Sequence, residues 1–301
     1  MTRFADVAAL ADNRLIYAEG RRFAAILGAK PSQGARSPAL WNAAFRAHGV
    51  DAEMLPFDVP VDHLDPSLAA LDDNPRFLGG AVAVPHKERV AQWLGRRVTP
   101  EAAAIGAVNC LFRDDAGRLV GTNTDGEGAR VSFESRFGGA AGRSILVMGT
   151  GGAGKAVAAF FRNAVEPNGR LFITGRSREG RHYAERLRCE WVEWCNLAAA
   201  LPIADVLINC TSVGSGATAG ESPVAAGVLV QLPDQALVFD IIYQPTPSAL
   251  LVLAAARGLS VLDGAAMNLE QAVLAYGHAV PQLKGREVTR AAMDQARLVA
   301  I

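Results

Sequence analysis

The sequence predicts an α/β protein whose later part is built on a parallel sheet, and three observations carry that expectation. A short apolar run, Ser144-Ile145-Leu146-Val147-Met148, leads directly into Gly149-Thr150-Gly151-Gly152-Ala153-Gly154-Lys155 and then into the helical pattern AVAAFFRNAV. Further β-rich runs follow at 170–175 (RLFITG), 205–210 (DVLINC) and 236–242 (ALVFDII), separated by helical stretches as parallel βαβ units require. The 301 residues, half of them hydrophobic and a fifth charged, suffice for two modest domains or one large one with a real core.

Before that sheet, the chain alternates short apolar runs with helical patterns. Residues 38–48 place Leu40, Ala43, Ala44 and Ala47 at helical spacing behind a Ser-Pro start, where proline suits the first turn. The run Phe77 to Val84 reads as a buried strand ending at Pro85, and a helix follows from about Lys87 to Leu94. Glycine and alanine crowd residues 138–143, which reads as a boundary loop. The tail is helical over 268–279 and again over 289–299.

Thirty basic residues balance thirty acidic ones, so nothing in the charge favours nucleic acid or an anionic membrane surface; any bound anion needs a local site. Cys110, Cys189, Cys195 and Cys210 form no C-x-x-C pair, and the five histidines are scattered, which argues against disulfide and metal readings. The start of the chain lacks a sustained apolar run, and no stretch approaches the ~20 apolar residues of a membrane span. A cytoplasmic location is expected.

Gly149, Gly151 and Gly154 fit G-x-G-x-x-G between a strand and a helix, the context in which this pattern receives a dinucleotide pyrophosphate at a helix N-terminus. Gly149, Gly154 and Lys155 also fit most of a P-loop, but Ala156 replaces the hydroxyl that would hold magnesium, so nucleotide hydrolysis ranks well below. At the end of the next strand, Thr174-Gly175-Arg176-Ser177-Arg178 carries no acid for a ribose 2′-hydroxyl. Arg176 and Arg178 suit a 2′-phosphate and Ser177 adds a hydroxyl, so NADP(H) is favoured over NAD; the bland alternative is a solvated basic loop.

Two polar clusters stand out against apolar surroundings. In Val84-Pro85-His86-Lys87-Glu88, a lysine directly after a buried strand is held near the core, where desolvation suits it to proton transfer. An ordinary helix-start lysine fits the local sequence better, and His86 is an equally available proton carrier. The second cluster is Gly106-Ala107-Val108-Asn109-Cys110 with Gly121-Thr122-Asn123-Thr124-Asp125-Gly126-Glu127-Gly128. Its turn residues read either as a plain loop or as a place where Asp125 pairs with Lys87 and amides meet a substrate bearing several hydroxyls.

These strings together resemble the shikimate/quinate dehydrogenase family over nearly the whole chain. VPHKE resembles the family motif with the catalytic lysine, which puts that role on Lys87. GAVNCL is similar to G-A-V-N-T-L and puts Asn109 in the substrate site. GTNTDGEG is similar to G-x-N-T-D-G and makes Asp125 the carboxylate partner. GTGGAGKA resembles the family's glycine turn (Gly149, Gly151, Gly152, Ala153, Gly154), and Gly175-Arg176-Ser177 its N-R-T cofactor loop. NCTSVG with Thr211 and DIIYQPTPSALL with Tyr243 look like the later motifs, and GAAMNLEQ, with Gly264 and Gln271, like the final one. The resemblance implies an α/β substrate-binding domain from residues 1–128 and 266–301 and a Rossmann-type NADP-binding domain, a doubly wound parallel sheet, from 129–265. It also implies reversible hydride transfer between NADP(H) and a hydroxyl or ketone of a small cyclic hydroxy acid. No nucleic-acid or membrane partner is implied, and a homodimer stays open.

Three departures concern recognition. The family's Ser-x-Ser-Pro segment reads Ala35-Arg36-Ser37-Pro38, and its N-V-T-V-P strand reads Ala81-Val82-Ala83-Val84-Pro85. Each buried hydrogen bond lost is worth about 1–3 kcal/mol. Ser37 remains, and Arg36 is a candidate to grip a carboxylate instead. The readings left open are a quinate or other polyol dehydrogenase using NAD, a nucleotide-binding regulator that has lost catalysis, and a folate-linked dehydrogenase, against which GTNTDG and GAVN argue.

Overall fold

The computed structural model describes residues 2–18, 20–282 and 285–299. The chain divides into two compact units, Met1–Thr124 with Gln271–Ile301, and Asp125–Glu270. The first break precedes the glycine-rich loop at 138–143, because the helix Asp125–Phe137 already belongs to the second unit. Its Ala129 and Phe133 are buried there, and the Phe133 and Phe161 rings meet edge to face at 5.4 Å.

In the first unit, β1 (Arg22–Gly28), β2 (Ala52–Asp58), β3 (Phe77–Val82), β4 (Cys110–Arg113) and β5 (Leu119–Thr122) form one sheet in the order β2-β1-β3-β4-β5. β1 runs parallel to β2 and β3, while β4 and β5 are antiparallel. Pro56, which cannot donate to a ladder, is tolerated because β2 is an edge strand. The helix Ser37–Ala47 connects β1 to β2 with Leu40, Trp41, Ala44 and Phe45 buried. The helix Arg286–Val299 packs on it. Phe4, Phe23, Phe57 and Phe77 cluster in the core, with Phe4 and Phe23 edge to face at 5.1 Å.

β3 ends at Val82, two residues earlier than the apolar run suggests. The Ala83 N–H donates to the Leu27 carbonyl at 2.7 Å as the chain leaves the sheet, and Val84 is 74% exposed. The stretch 121–128 is likewise not one loop: β5 runs into it and a helix starts at Asp125, leaving Asn123 and Thr124 as the connection.

The second unit holds β6 (Ser144–Met148), β7 (Arg170–Gly175), β8 (Glu190–Glu193), β9 (Val206–Asn209), β10 (Leu237–Asp240) and β11 (Ser260–Leu262) in the order β11-β10-β9-β6-β7-β8. Every pairing is parallel. Along β6 the side chains alternate between two cores. Ile145 and Val147 pack with Val157 and Phe161 of the helix Gly152–Ala164, and Leu146 and Met148 with Leu250, Leu251 and Ala254 of the helix Ala249–Ala256. A sheet covered on both faces explains the near-continuous apolar runs. β8 and β11, short and partly exposed, go beyond the strands expected from sequence. From β6 the chain winds outward through β7 and β8, then returns and winds the other way from β9, so the β6–β9 pair is the topological switch point.

Candidate active site

At the switch point, β6 runs into the glycine turn. Gly149 has φ +102, and a Cβ there would come within 2.8 Å of the Cys210 backbone. A Cβ on Gly154 would land on the Gly149 carbonyl oxygen, so the helix Gly152–Ala164 approaches its strand this closely only with glycine. Gly151 is different. It is the exposed N-cap residue at φ −73, and a Cβ there would meet nothing within 4 Å. Two glycines close the turn, while the third leaves the first-turn amides of Gly152 and Ala153 open, with no capping side chain. That cradle fits a pyrophosphate at the positive end of the helix dipole.

Arg176, Ser177 and Arg178 are all exposed directly after β7. Ser177 does not stand free: its oxygen accepts from the Gly180 N–H at 3.1 Å and caps the helix Arg178–Arg186. Its hydroxyl proton and one lone pair remain to offer a ligand, and the two guanidinium groups carry the loop's charge.

The neighbouring strand ends are tied by a buried network. The Asn209 amide donates to Asp240 Oδ1 at 3.0 Å, and the Ser248 hydroxyl donates to Asp240 Oδ2 at 2.6 Å. Thr211 donates both its N–H and its hydroxyl to Asn209 Oδ1, at 3.0 and 2.7 Å. Burial pushes the Asp240 carboxyl up, while the bonds from Ser248, Ile242 and Asn209 oppose that shift. The Cys210 thiol is pushed well above its usual range, first by burial and then by the negative charges of Asp240 and Asp125. Asp125 is buried as the first residue of its helix, a favourable end for a carboxylate. Tyr243 is half-buried three residues past β10, and Gly264 opens the helix Gly264–Ala279.

In the first unit, Lys87 is half-buried at the start of the helix Lys87–Leu94. Its carbonyl accepts from the Val108 N–H at 2.9 Å, which ties it to the segment carrying Asn109. Asn109 is buried, and its Oδ1 accepts from the Thr124 N–H at 2.7 Å. Its Nδ2 donates to Thr124 Oγ1 at 3.0 Å and approaches Gln271 Oε1 at 3.4 Å. Thr124 in turn donates its hydroxyl to the Gln271 carbonyl at 3.1 Å. The structure therefore gathers Asn109 and Gln271, 162 residues apart, around Thr124, which the sequence reading had not singled out. Local sequence holds no signal for that meeting. Ser37 is buried at the head of its helix, and Arg36 precedes it half-buried. His86 is 1% exposed, with Nε2 2.7 Å from the Val59 carbonyl, so it braces the chain just past β2 against this turn. Among the described residues, no cluster of His, Cys, Asp and Glu suits a metal, and no helix is long and apolar enough to cross a membrane.

A doubly wound parallel sheet carrying this glycine turn at its switch point defines a Rossmann-type dinucleotide-binding unit, here in a chain with a second α/β unit. Residues 27–111 match the family model for the shikimate dehydrogenase substrate binding domain. The shikimate dehydrogenase (NADP(+)) of Thermosynechococcus vestitus is 33% identical over 272 residues, 88% of this chain and 93% of that protein. The corresponding protein of Symbiobacterium thermophilum is 36% identical over 265 residues, 85% and 87% of the two chains. The crystal structure of shikimate 5-dehydrogenase from Thermus thermophilus in complex with NADP(H) and shikimate superposes with a TM-score of 0.78 at 29% identity, covering 91% of this chain and 99% of the other. The chain belongs to the shikimate dehydrogenase family.

Proposed function

We propose that this protein is a cytoplasmic NADP(H)-dependent oxidoreductase that interconverts a hydroxyl and a ketone on a cyclic hydroxy acid such as shikimate and 3-dehydroshikimate. The observation that carries the reading is the open glycine turn beside an exposed arginine pair, at the ends of adjacent strands, in a chain of this family. Bound NADP(H) would supply or accept the hydride. Gly149, Gly151 and Gly154, with the amides of Gly152 and Ala153, would hold its pyrophosphate, and Arg176 and Arg178 its 2′-phosphate. Thr211 and Gly264 would flank it. Lys87 would give or take the hydroxyl proton and steady the developing oxyanion, and Asp125 would supply the carboxylate of the family motif. Asn109, Gln271, Ser37, Arg36 and Tyr243 supply polar contacts to the substrate.

The direct test follows NADP(H) and NAD(H) absorbance with shikimate, quinate, related cyclic hydroxy acids and uncharged polyols. NADP-dependent turnover of shikimate is expected; cofactor binding with no turnover of any cyclic hydroxy acid would sink the reading. Lys87→Ala should lower turnover about 10²–10⁴-fold while leaving NADPH affinity within a factor of two or so; equal loss of both would make the lysine structural. A second reading, altered substrate choice toward quinate or another polyol, is favoured by one feature. Half-buried Ala83, just past β3, offers a methyl group where the family motif has threonine. The same panel separates the two readings, and light scattering tests for a homodimer.

A further inference from the structure

Gly175 and Gly180 have no backbone reason to be glycine. Gly175 is the buried last residue of β7, and Gly180 lies in the first turn of the helix Arg178–Arg186; neither has a positive φ. Glycine in strand and helix interiors is destabilising relative to alanine. Both face one side chain. A Cβ on Gly175 would lie 2.8 Å from Thr150 Oγ1 and 3.1 Å from Thr150 Cγ2. A Cβ on Gly180 would lie 2.5 Å from Thr150 Oγ1 and 2.8 Å from Thr150 Cβ. Threonine is stiff at χ1, and Thr150 is flanked by β7 on one side and the helix on the other. The indole of Trp191 closes the next side of the same space, 3.4 Å from the Gly175 Cβ position.

Gly175 also occupies a particular place. In dinucleotide-binding sheets the end of the second strand, about 20 residues beyond the glycine turn, carries the acid that receives the ribose 2′-hydroxyl of NAD. We propose that Thr150 is a specificity-determining residue: by filling the space above Gly175 and Gly180 it bars an acidic side chain from the end of β7, leaving the 2′ position to Arg176 and Arg178. The inference rests on the NADP(H) reading. Thr150 positions rather than reacts. Its hydroxyl belongs to the second residue of the glycine turn, so the turn that receives the pyrophosphate and the strand end that selects the cofactor are set by one packing contact.

The test measures NADP⁺ and NAD⁺ dissociation constants and thermal midpoints of the full chain for the wild type, Gly175→Asp, Thr150→Ala and the Gly175→Asp/Thr150→Ala double variant. Gly175→Asp alone should weaken NADP⁺ without gaining NAD⁺, and should lower the midpoint, because the new side chain meets Thr150. The double variant should bind NAD⁺ at least about tenfold tighter than Gly175→Asp and recover part of the midpoint, the non-additivity expected of residues in contact. NAD⁺ binding by Gly175→Asp equal to that of the double variant would overturn the proposal. If Gly175→Asp does not fold, Gly180→Ala reads the same contact: its loss of midpoint should be rescued by Thr150→Gly, and no rescue overturns the proposal. A wild type that holds NAD⁺ and NADP⁺ equally would remove the NADP(H) reading, while the single-against-double comparison would still decide the role of Thr150.

Discussion

In the first unit the start of β4 is held by a side chain: the Asn109 amide serves Thr124 through two atoms and reaches Gln271 with one of them. In the second unit the end of β6 is held by missing side chains, since Gly149 and Gly154 allow backbone to touch backbone. The difference predicts opposite sensitivities. At these two places Asn109 suffers when polar atoms are removed, and Gly154 when a single methyl group is added.

Gly154→Ala should have the largest effect, costing about 3 kcal/mol or more by overpacking, with loss of cofactor binding; a thermal melt and a cofactor titration read both. Gly151→Ala sharpens the contrast, since its Cβ meets nothing. It should keep the midpoint of the wild type and weaken only the cofactor. Asn109→Ala removes the acceptor of the Thr124 N–H and should cost about 1–3 kcal/mol in denaturant unfolding. An Asn109→Ala protein as stable as wild type would break the comparison. Arg176→Ala, on an exposed loop, should leave stability alone and weaken NADP(H) about tenfold, a change of ~1.4 kcal/mol, with little effect on NAD(H). An equal effect on both cofactors would remove the basis for preferring NADP.

The smallest effect concerns Asp240. Burial raises its carboxyl above the ordinary 3.8, so the native state keeps the proton to higher pH than the unfolded chain does. Its contribution is full below about pH 3.8 and is lost as pH rises through the native value. Asp240→Asn keeps acceptors for Asn209 and Ile242 and should flatten that part of the stability–pH profile. A profile unchanged by the substitution would show that Asp240 titrates alike in both states.

What the sequence disclosed follows from the range of the forces involved. The strands 144–148 and 170–175 and the helix Lys87–Leu94 were legible to the residue, because burial on both sheet faces and a proline-bounded start leave strong local patterns. β1, with two alanines and a single β-branched residue, and β2, with Pro56 inside it, lack the β-branched alternation that marks a strand. β4 and β5 are four residues each and owe their existence to pairing. In the site, the glycine turn and the arginine loop are contiguous and could be read. Thr124, the Asn209–Asp240–Ser248 network and the contact of Thr150 with Gly175 and Gly180 join residues distant in the chain. His86, equal to Lys87 as a proton carrier on local sequence, is withdrawn by a bond to Val59, a partner no motif names.

The chain leaves the first unit at Thr124 and re-enters it at Gln271, whereas the second unit is one contiguous run. During synthesis the order of completion is therefore inverted. The second unit has all its residues while the tail is still inside the ribosome, but the first waits for Gln271 to meet Asn109 and for the helix Arg286–Val299 to cover the helix Ser37–Ala47. The part that begins first finishes last, and a nascent chain that has exposed its residues up to Glu270 and not yet Gln271 carries a completed cofactor fold and a substrate fold with its polar centre still open.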